Sequence, residues 1–517
     1  VRDSPITPPK SSEGPLPEPS LAPRVERRMK RVWILMLSCA ATAASAAQVG
    51  NDLPDMGNPV DAIITRGDEY RIGMTVMRQL REQGQILEDP EISEYIQALG
   101  SRIAAQATDD GNRFTFFVMR DPAINAFALP GGFIGVNQGL LLATKSESEL
   151  ASVLAHEIAH VTQRHIARSI RAAGRQSLAT TAMVIAGILL GAVGGGDVAQ
   201  AAIAIAQGTA AQQQINYTRS NEQEADRVGI SYLAAAGFDP NAMPAFFETM
   251  NRRQGLAGHN IPEFILTHPV TTNRIAESRD RAKDYPVPKA GPDVPYQLAR
   301  ERARVVAAES DTDMRAFYEG QIAEGHDGVG ERYGGALADL GHGGATDAVA
   351  VLYDLHQRHQ GSPMIAAALG QAQMSAGATD AALATFTDAL RLSPRNVPLT
   401  IRYAEALMRV GRAREAHVML LDLFNNVAPT PEQIRLTALA ASAAGDTGDA
   451  YFYMSEYHIA NGNLPLSVQQ LELALAAPNL TEVQRQRFQA RMDEVREAIS
   501  RDRKRKPEPG GERQASR

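Results

Sequence analysis

Apolar residues recur at helical spacing between residues 146 and 167. One face of a predicted helix there is formed by Leu150, Val153, Leu154 and Ile158. Ser146 and Glu149 have the spacing of a capping box and predict where this helix begins. The same helix carries histidines and a glutamate. Because a buried imidazole or carboxylate without a partner costs on the order of 1–3 kcal/mol, the rest of the chain must supply partners for them.

A second pattern predicts a small β-sheet upstream of that helix. Residues 113–121 predict a strand, and residues 125–141 predict a strand, a Pro-Gly-Gly turn, a strand and the start of a helix. A hairpin beside the histidine helix could offer a free edge to an extended peptide. We expect that edge at Asn125, Ala126, Phe127 and Ala128.

A third pattern is the long apolar segment of residues 178–207, which GAVGGGD interrupts at residues 191–197. Each arm is shorter than the about 20 apolar residues that span a bilayer. Two interpretations stay open for this segment. It could be a helical hairpin that packs over the first half of the chain, or it could make peripheral contact with a membrane.

After about residue 296 the sequence becomes a series of Ala-rich amphipathic helices with an internal period. Glycines recur every 34 residues, and an alanine follows each glycine five residues later. The glycines are Gly343, Gly377, Gly411 and Gly445, and the alanines are Ala348, Ala382, Ala416 and Ala450. A helix–turn–helix repeat requires a glycine that ends one helix and a small residue where the next helix packs. The pattern resembles a tetratricopeptide array, a solenoid that holds protein segments on its surface.

Composition narrows these predictions. A chain of 517 residues is too long for one ordinary core and predicts two or more folded units. The net charge of −7 provides no general attraction for nucleic acid, so we expect no nucleic-acid partner. Cys39 is the only cysteine, which excludes a disulfide framework and a cysteine metal site. Any metal site must therefore use histidine and carboxylate ligands.

Residues 29–46 have the pattern of an export signal. Basic residues precede an apolar run and an Ala-Ser-Ala cleavage site, and the run is too short for a membrane anchor. We expect an exported protein, with a lipoprotein anchored at Cys39 as the alternative. Residues 1–28 are Pro-rich, and we expect them to be disordered or to precede the true start at Met29. Residues 501–517 are expected to form a disordered charged tail.

The candidate chemistry centres on His156, Glu157 and His160. The two histidines are one helical turn apart, so both imidazoles project from one face, with Glu157 beside it. This is the His-Glu-x-x-His arrangement of zinc hydrolases, in which the carboxylate lies next to the metal-bound water. The alternative is a pair of satisfied core histidines. On a continuous helix His165 would be rotated about 140° from His160, so we interpret it as a surface residue or as a support for the site.

A third metal ligand is needed, and the stretch TRSNEQEADRVGISYL supplies the candidate. Ser220 and Gln223 have capping-box spacing and predict the start of a helix that carries Glu222 and Asp226 on one face. Glu222 could bind the metal while Asp226 accepts a hydrogen bond from the outer nitrogen of a ligand histidine. The alternative is an acidic helix start that only compensates the helix dipole. Glu224 lies about 200° around the helix from Glu222 and is expected to be solvated.

These motifs together resemble the M48 peptidases. The resemblance rests on HEIAH, on NEQEAD after it, on NAFALPGG before it and on THPVTTNRI further downstream. It implies zinc ligands at His156, His160 and Glu222, a general base at Glu157 and a supporting carboxylate at Asp226. It also implies that His268 can take the fourth position on the metal and hold the enzyme latent; the alternatives are that His268 caps or packs locally, or that it stabilises the oxyanion without touching the metal. Arg274, in the same downstream motif, could assist at the site.

We therefore expect a mainly α protein of two parts. Residues 47–295 should form an α+β zinc protease domain of the gluzincin type with a small sheet, and residues 296–500 an all-α tetratricopeptide-like domain. The resemblance implies one zinc ion per chain, a periplasmic location, and unfolded or misassembled outer-membrane proteins as substrates, with the outer-membrane assembly machinery as a partner. The alternative is a chaperone or assembly factor whose repeats bind clients while its protease site stays latent.

Overall fold

The computed structural model of the chain describes residues 64–107, 113–173, 209–256, 262–289, 291, 293–308 and 311–505. The predicted export signal with Cys39, the residues before it, the apolar segment 178–207 and the tail from residue 506 lie outside the described residues. No helix in the described part of the chain is both long and apolar enough to cross a membrane.

The first half of the described chain is helical with one small sheet, as predicted. Its helices are α1 (Arg66–Glu82), α2 (Pro90–Ala104), α3 (Gln138–Ala143), α4 (Glu147–Thr162), α5 (His165–Ala173), α6 (Thr209–Ala235), α7 (Ala242–Leu256), α8 (Glu263–Thr267) and α9 (Thr272–Ala282). Its strands are β1 (Thr115–Met119), β2 (Ala126–Leu129) and β3 (Phe133–Asn137).

The sheet has the strand order β1-β3-β2, with β3 parallel to β1 and antiparallel to β2. Strand β2 is therefore an edge strand of the sheet that the described residues form. The turn between β2 and β3 requires glycine at Gly132, which has a φ of +84°. A Cβ atom there would lie 1.9 Å from the carbonyl oxygen of Arg113.

Helix α4 begins where the sequence predicted and forms the centre of the first core. The Ser146 hydroxyl accepts a hydrogen bond from Glu149 N, whereas the Glu149 carboxylate accepts one from Lys145 N rather than from Ser146. The predicted inner face is buried: Leu150, Val153, Leu154 and Ile158 are at most 2% exposed.

Helix α6 packs closely against α4 because of a glycine. A Cβ atom on Gly229 would lie 3.0 Å from the carbonyl oxygen of Ala155 and 3.1 Å from the Cα of His156. A larger residue would push the two helices apart. This contact brings Glu222 and Asp226, which precede Gly229 by two turns and one turn of α6, next to the histidines of α4.

Two local predictions are wrong. Helix α6 begins at Thr209, so Ser220 and Gln223 lie inside a helix and form no capping box at its start. Helix α4 ends at Thr162, and Arg164 adopts a φ of +53° before α5 begins. The Arg164 guanidinium is buried and donates to Glu69 at 3.0 Å, which holds the chain in this break. His165 therefore does not continue the helix of His160, and the rotation argument does not apply to it.

The second half of the described chain is a series of helices. They are α10 (Val294–Ala307), α11 (Asp311–Ala323), α12 (Val329–Gly341), α13 (Ala345–Arg358), α14 (Pro363–Ser375), α15 (Thr379–Leu392), α16 (Val397–Arg409), α17 (Ala413–Asn426), α18 (Pro431–Ala443), α19 (Thr447–Ala460), α20 (Leu464–Ala476) and α21 (Glu482–Arg505). Because α21 continues to Arg505, the first residues of the predicted disordered tail are helical.

The glycine period coincides with the turns between helices. The four periodic glycines have φ values between +77° and +88°, a conformation that favours glycine at the end of a helix. Three of the four periodic alanines, Ala348, Ala382 and Ala416, are fully buried where the next helix packs, and Ala450 is partly buried. The pattern thus marks real helix–turn–helix units.

The two halves share buried contacts. The boundary predicted at residue 295 falls inside α10, which contributes to the core of the first half through Tyr296 and to the repeat core through Leu298. Helix α16 packs against α2, where the Arg402 guanidinium donates two hydrogen bonds of 2.8 Å to the buried Glu91 carboxylate. Arg302 of α10 is 2.9 Å from the same carboxylate. The array is therefore docked on the first half through buried charges.

Candidate metal centre

Four potential ligand side chains converge between α4, α6 and the end of α8. They are His156 and His160 on α4, Glu222 on α6 and His268 directly after α8, and one donor atom of each lies within 4.8 Å of all the others. Three of the four are at most 8% exposed, and the side chain of His160 is 12% exposed. The sequence prediction had named all four of these residues.

The spacing of the donor atoms fits a tetrahedral metal ion. The Nε2 atoms of His156 and His160 are 3.0 Å apart, and Glu222 oxygens lie 3.3 and 3.4 Å from them. His268 Nδ1 is 3.4 Å from His156 Nε2 and 3.1 Å from Glu222. Ligands about 2.0–2.1 Å from a tetrahedral zinc ion lie roughly 3.3–3.4 Å from each other. The donors also match the nitrogen and oxygen ligands that zinc prefers.

A buried carboxylate and a buried guanidinium support two of these ligands. Asp226 Oδ1 lies 3.0 Å from His156 Nδ1, off the line of the N–H bond. Arg274 donates two hydrogen bonds to Asp226, at 2.7 and 2.8 Å, and its Nη1 lies 3.0 Å from Glu222. The guanidinium therefore fixes both carboxylates and gives Arg274 a positioning contact at the site.

His160 is supported by a chain of side chains, of which the sequence had suggested only His165, as one of two alternatives. Its Nδ1 lies 2.8 Å from Nδ1 of His165, and His165 Nε2 lies 3.2 Å from Glu224. Arg168 donates to the same Glu224 carboxylate at 2.6 Å. With Nε2 of His160 directed at the other ligands, its Nδ1–H donates to His165, and Nε2–H of His165 donates to Glu224. His165 therefore takes the second of the two positions that the sequence left open for it, a support for the site. Glu224, which was expected to be solvated, is partly buried and paired with His165 and Arg168.

Glu157 lies beside the ligand group and is buried. Its side chain is 1% exposed, its Oε1 has no hydrogen-bond partner among the described residues, and His268 Nε2 is 3.5 Å away. The carboxyl also faces the backbone amide of Ala128 on β2. Burial raises the pKa of Glu157, which makes the carboxylate a stronger base.

The electrostatics of the centre favour a cation. Burial lowers the pKa of His160 to about 3, so its ring is neutral and has a free lone pair. Burial acts in the same direction on His156, but the Asp226 and Glu222 carboxylates outweigh it and raise its pKa to about 10. Burial opposes the ionisation of Glu222, but His268 and the other two histidines hold its pKa well below the ordinary value. A metal ion would replace the proton that His156 otherwise holds.

The free edge of β2 runs past this centre. Asn137 N donates to Asn125 O at 3.0 Å, so residues 125 and 137 form a hydrogen-bonded pair. Such pairs alternate along an antiparallel ladder, so the amide groups of Ala126 and Ala128 point away from β3. No described strand pairs with that side. The Ala128 amide faces the Glu157 carboxyl, so the predicted peptide-binding edge offers the remaining outward backbone groups of Ala126 and Ala128 next to Glu157.

The segment that carries His268 is tied to the beginning of this edge. Phe264 N donates to Ile124 O at 3.0 Å, and Asn125 Nδ2 donates to the Glu263 carboxylate at 3.1 Å. The ring of Phe264 stacks on that of His268 with a centroid separation of 5.0 Å. The same short helix thus covers the start of the edge and directs His268 at the ligands.

Comparisons with known proteins agree with this geometry. Residues 90–282 match peptidase family M48, and residues 373–441 match the tetratricopeptide repeat. The beta-barrel assembly-enhancing protease of Escherichia coli is 31% identical over 489 residues, which are 91% of this chain and 97% of that protein. A Vibrio cholerae protein with a provisional name of the same kind is 46% identical over 285 residues, 54% of this chain and 58% of that protein. The mitochondrial metalloendopeptidase OMA1 of Schizosaccharomyces pombe is 33% identical over 187 residues, 35% of this chain and 50% of that protein.

Proposed function

The chain belongs to peptidase family M48, and from that premise we propose that it is a periplasmic zinc endopeptidase that cleaves unfolded or misassembled outer-membrane proteins. The observation that carries the proposal is the buried group of His156, His160 and Glu222 at tetrahedral spacing, with Glu157 beside it. The names of the relatives support the substrate class, because they refer to the assembly of β-barrels.

Each side chain of the centre has a role in this proposal. His156, His160 and Glu222 hold zinc, which when bound polarises the scissile carbonyl and acidifies the attacking water. Glu157 accepts the proton of that water and passes it to the leaving amine. Asp226 and Arg274 are positioning residues, since they contact the ligands and not the substrate.

The substrate would bind as an added strand along β2. Its backbone would pair with the amide and carbonyl groups of Ala126 and with the carbonyl group of Ala128, which lie on the side of the strand that faces away from β3. Because main-chain hydrogen bonds provide this recognition, an unfolded chain can bind whereas a folded barrel, whose strands are already paired, cannot. Large exposed apolar side chains on the repeats, such as Leu392, Val418 and Val483, support recruitment of unfolded clients by the array.

We further propose that the resting enzyme is latent. His268 Nδ1 occupies the fourth corner of the ligand group, and its loop covers the start of the substrate edge. Both positions must be vacated before a peptide can be cleaved. A client that binds the edge strand would favour the open state by its differential affinity.

The second candidate function is a chaperone or assembly factor in which the array does the main work. The position of His268 among the ligands favours this second function, because a protease whose fourth metal position is filled is closed at rest. Both functions can reside in the same chain, so the experiment must separate cleavage from binding.

The test compares wild type with Glu157→Gln, a variant that keeps the size of the side chain and removes the base. Zinc per chain, cleavage of an unfolded outer-membrane β-barrel protein and binding of that protein are measured on the same samples. We expect Glu157→Gln to keep zinc and binding but to lose cleavage. Equal cleavage by both proteins would refute the enzymatic proposal. The absence of zinc in wild type would refute the proposed zinc site.

The location is tested separately. Fractionation of cells that express the chain should recover it in the periplasmic fraction after osmotic shock. Recovery in the cytoplasm, or only with membranes, would contradict the proposed location.

A further inference from the structure

A second group of metal-ligating side chains lies in the repeat array, far along the sequence from the first. His417 projects from α17, Asp446 caps the N-terminus of α19, and Asp449 lies in the first turn of α19. One donor atom of each lies within 4.8 Å of the other two. The family match to the repeats spans His417 but ends at residue 441, before Asp446 and Asp449, and the candidate protease centre includes none of the three.

The histidine of this group lacks a partner. His417 is 6% exposed, and its Nε2 is buried without a hydrogen-bond partner among the described residues. The nearest carboxylate oxygen, Asp449 Oδ2, is 3.6 Å away, too far for a hydrogen bond. Burial lowers the pKa of His417, although Asp449 and Asp446 oppose this effect, so the ring offers a lone pair rather than a positive charge. A buried lone pair that faces carboxylates is suited to binding a metal cation.

Neighbouring residues hold the two carboxylates in place. Asp446 Oδ1 accepts a hydrogen bond from Asp449 N at 2.9 Å. Gln484 Nε2 donates to Asp446 at 3.2 Å and to Asp449 Oδ1 at 3.3 Å, and Arg487 pairs with the same Oδ1 atom. Asp449 thus keeps its other oxygen, Oδ2, on the side of His417. The protease centre has the same design, in which Arg274 fixes a carboxylate that serves the metal.

The net charge and the shortest ligand–ligand distance fit one divalent ion, and the three donor atoms all lie within 4.8 Å of one another. Two carboxylates and one guanidinium leave a net charge of −1 around a neutral imidazole. Two ligands of a common zinc ion lie roughly 3.3–3.5 Å apart when each is about 2.0–2.2 Å from the metal, close to the observed 3.6 Å between His417 and Asp449. Imidazole with carboxylates is a typical ligand set for zinc among common divalent ions.

We propose that His417, Asp446 and Asp449 bind a second zinc ion, which ties α17 to α19. Through Gln484 and Arg487, both on α21, the ion also stabilises the packing of the last helix of the array. The role is structural, because no Glu157-like base is present in the group and the three ligands come from helices that only pack together. The chain would then hold two zinc ions, one more than the sequence predicted.

The test is the zinc content of the purified full chain after equilibrium dialysis against low-micromolar zinc. We expect about two zinc ions per chain in wild type, one in His417→Ala, one in His156→Ala and none in the double variant. Asp446→Asn is the conservative variant, because asparagine also caps helices but lacks the charge, and it should also hold one ion. His458→Ala, a histidine of α19 outside the group, is the matched control and should hold two.

Thermal unfolding provides a readout that is independent of protease activity. In the His156→Ala background, added zinc should raise the unfolding temperature by several degrees, and the additional change His417→Ala should abolish that shift. One zinc ion in wild type, unchanged in His417→Ala and Asp446→Asn, would overturn the proposal. A zinc-induced shift that persists in the double variant would overturn it as well.

Discussion

The hydrogen bond between Asn125 and Glu263 allows a direct test of latency. It joins the start of the substrate edge to the short helix α8, which is followed by His268. If this helix holds the enzyme closed, Glu263→Ala should release it without touching the metal ligands or Glu157. We therefore expect the variant to cleave unfolded substrate faster than wild type.

The expected size of the effect follows from the contact. A hydrogen bond to a charged group contributes about 1.5–3 kcal/mol, and the partly buried, 3.1 Å bond to Glu263 belongs at the lower end of that range. A loss of about 1.4 kcal/mol changes an equilibrium tenfold. While the closed state still predominates, the open population and the rate should both rise roughly tenfold. Glu263→Gln keeps an acceptor at the same place and should change the rate much less.

The assay is the initial rate of cleavage of fluorescently labelled unfolded casein, with zinc per chain measured on each sample. Leu266→Ala is the control from the same helix, because this side chain is 66% exposed. His268→Ala alone should keep zinc and cleave faster, and in that background Glu263→Ala should add nothing. An unchanged or slower Glu263→Ala variant with full zinc would refute the reasoning, as would an equal gain in both backgrounds.

Three further predictions follow from contacts described above. His165→Ala should weaken zinc binding roughly 10- to 100-fold in a chelator competition, because it removes the support of a ligand; unchanged affinity would contradict that support. Arg402→Met should lower the free energy of unfolding by about 1.5–3 kcal/mol in urea, since it removes two charge-assisted hydrogen bonds to the buried Glu91 carboxylate and leaves Arg302 as the partner of that carboxylate, whereas Arg391→Met, at an exposed pair with Asp388, should cost less than about 1 kcal/mol. A chain that ends at residue 308 should unfold at a higher temperature and keep more zinc than one that ends at residue 300, because the longer chain retains all of α10; equal behaviour would mean that this helix belongs to the repeats alone.

The sequence could predict those parts of the site that depend on helical periodicity. One turn separates His156 from His160 and Glu222 from Asp226, so each pair shares a face wherever its helix packs. The strand, turn and strand before α4 were also predictable, since the Pro-Gly-Gly turn separates two short β-forming runs. The glycine period predicted the repeats for a similar reason, because each turn needs the same backbone conformation.

The rest depended on contacts between distant residues or on breaks in a helix. The position of His165 follows from the positive φ of Arg164, which a buried ion pair with Glu69 stabilises and no local pattern reveals. The pairing of Arg402 with Glu91 joins residues 311 positions apart. An arginine in an amphipathic helix usually faces solvent, so neither its burial nor the docking of the array could be read from spacing.

The buried ion pairs between the array and α2 fix the distance between the repeats and the substrate edge of the first half. An array on a flexible linker would bring any part of a bound client to the active site, since the linker would average over many distances. Under the proposed function, the client-binding surface of the array and the substrate edge of β2 would therefore lie at a fixed separation. A client stretched between them spans about 3.3 Å per residue, so the separation corresponds to a set number of residues. Cleavage should then occur at a constant distance from the gripped segment, largely independent of the residues at the cut.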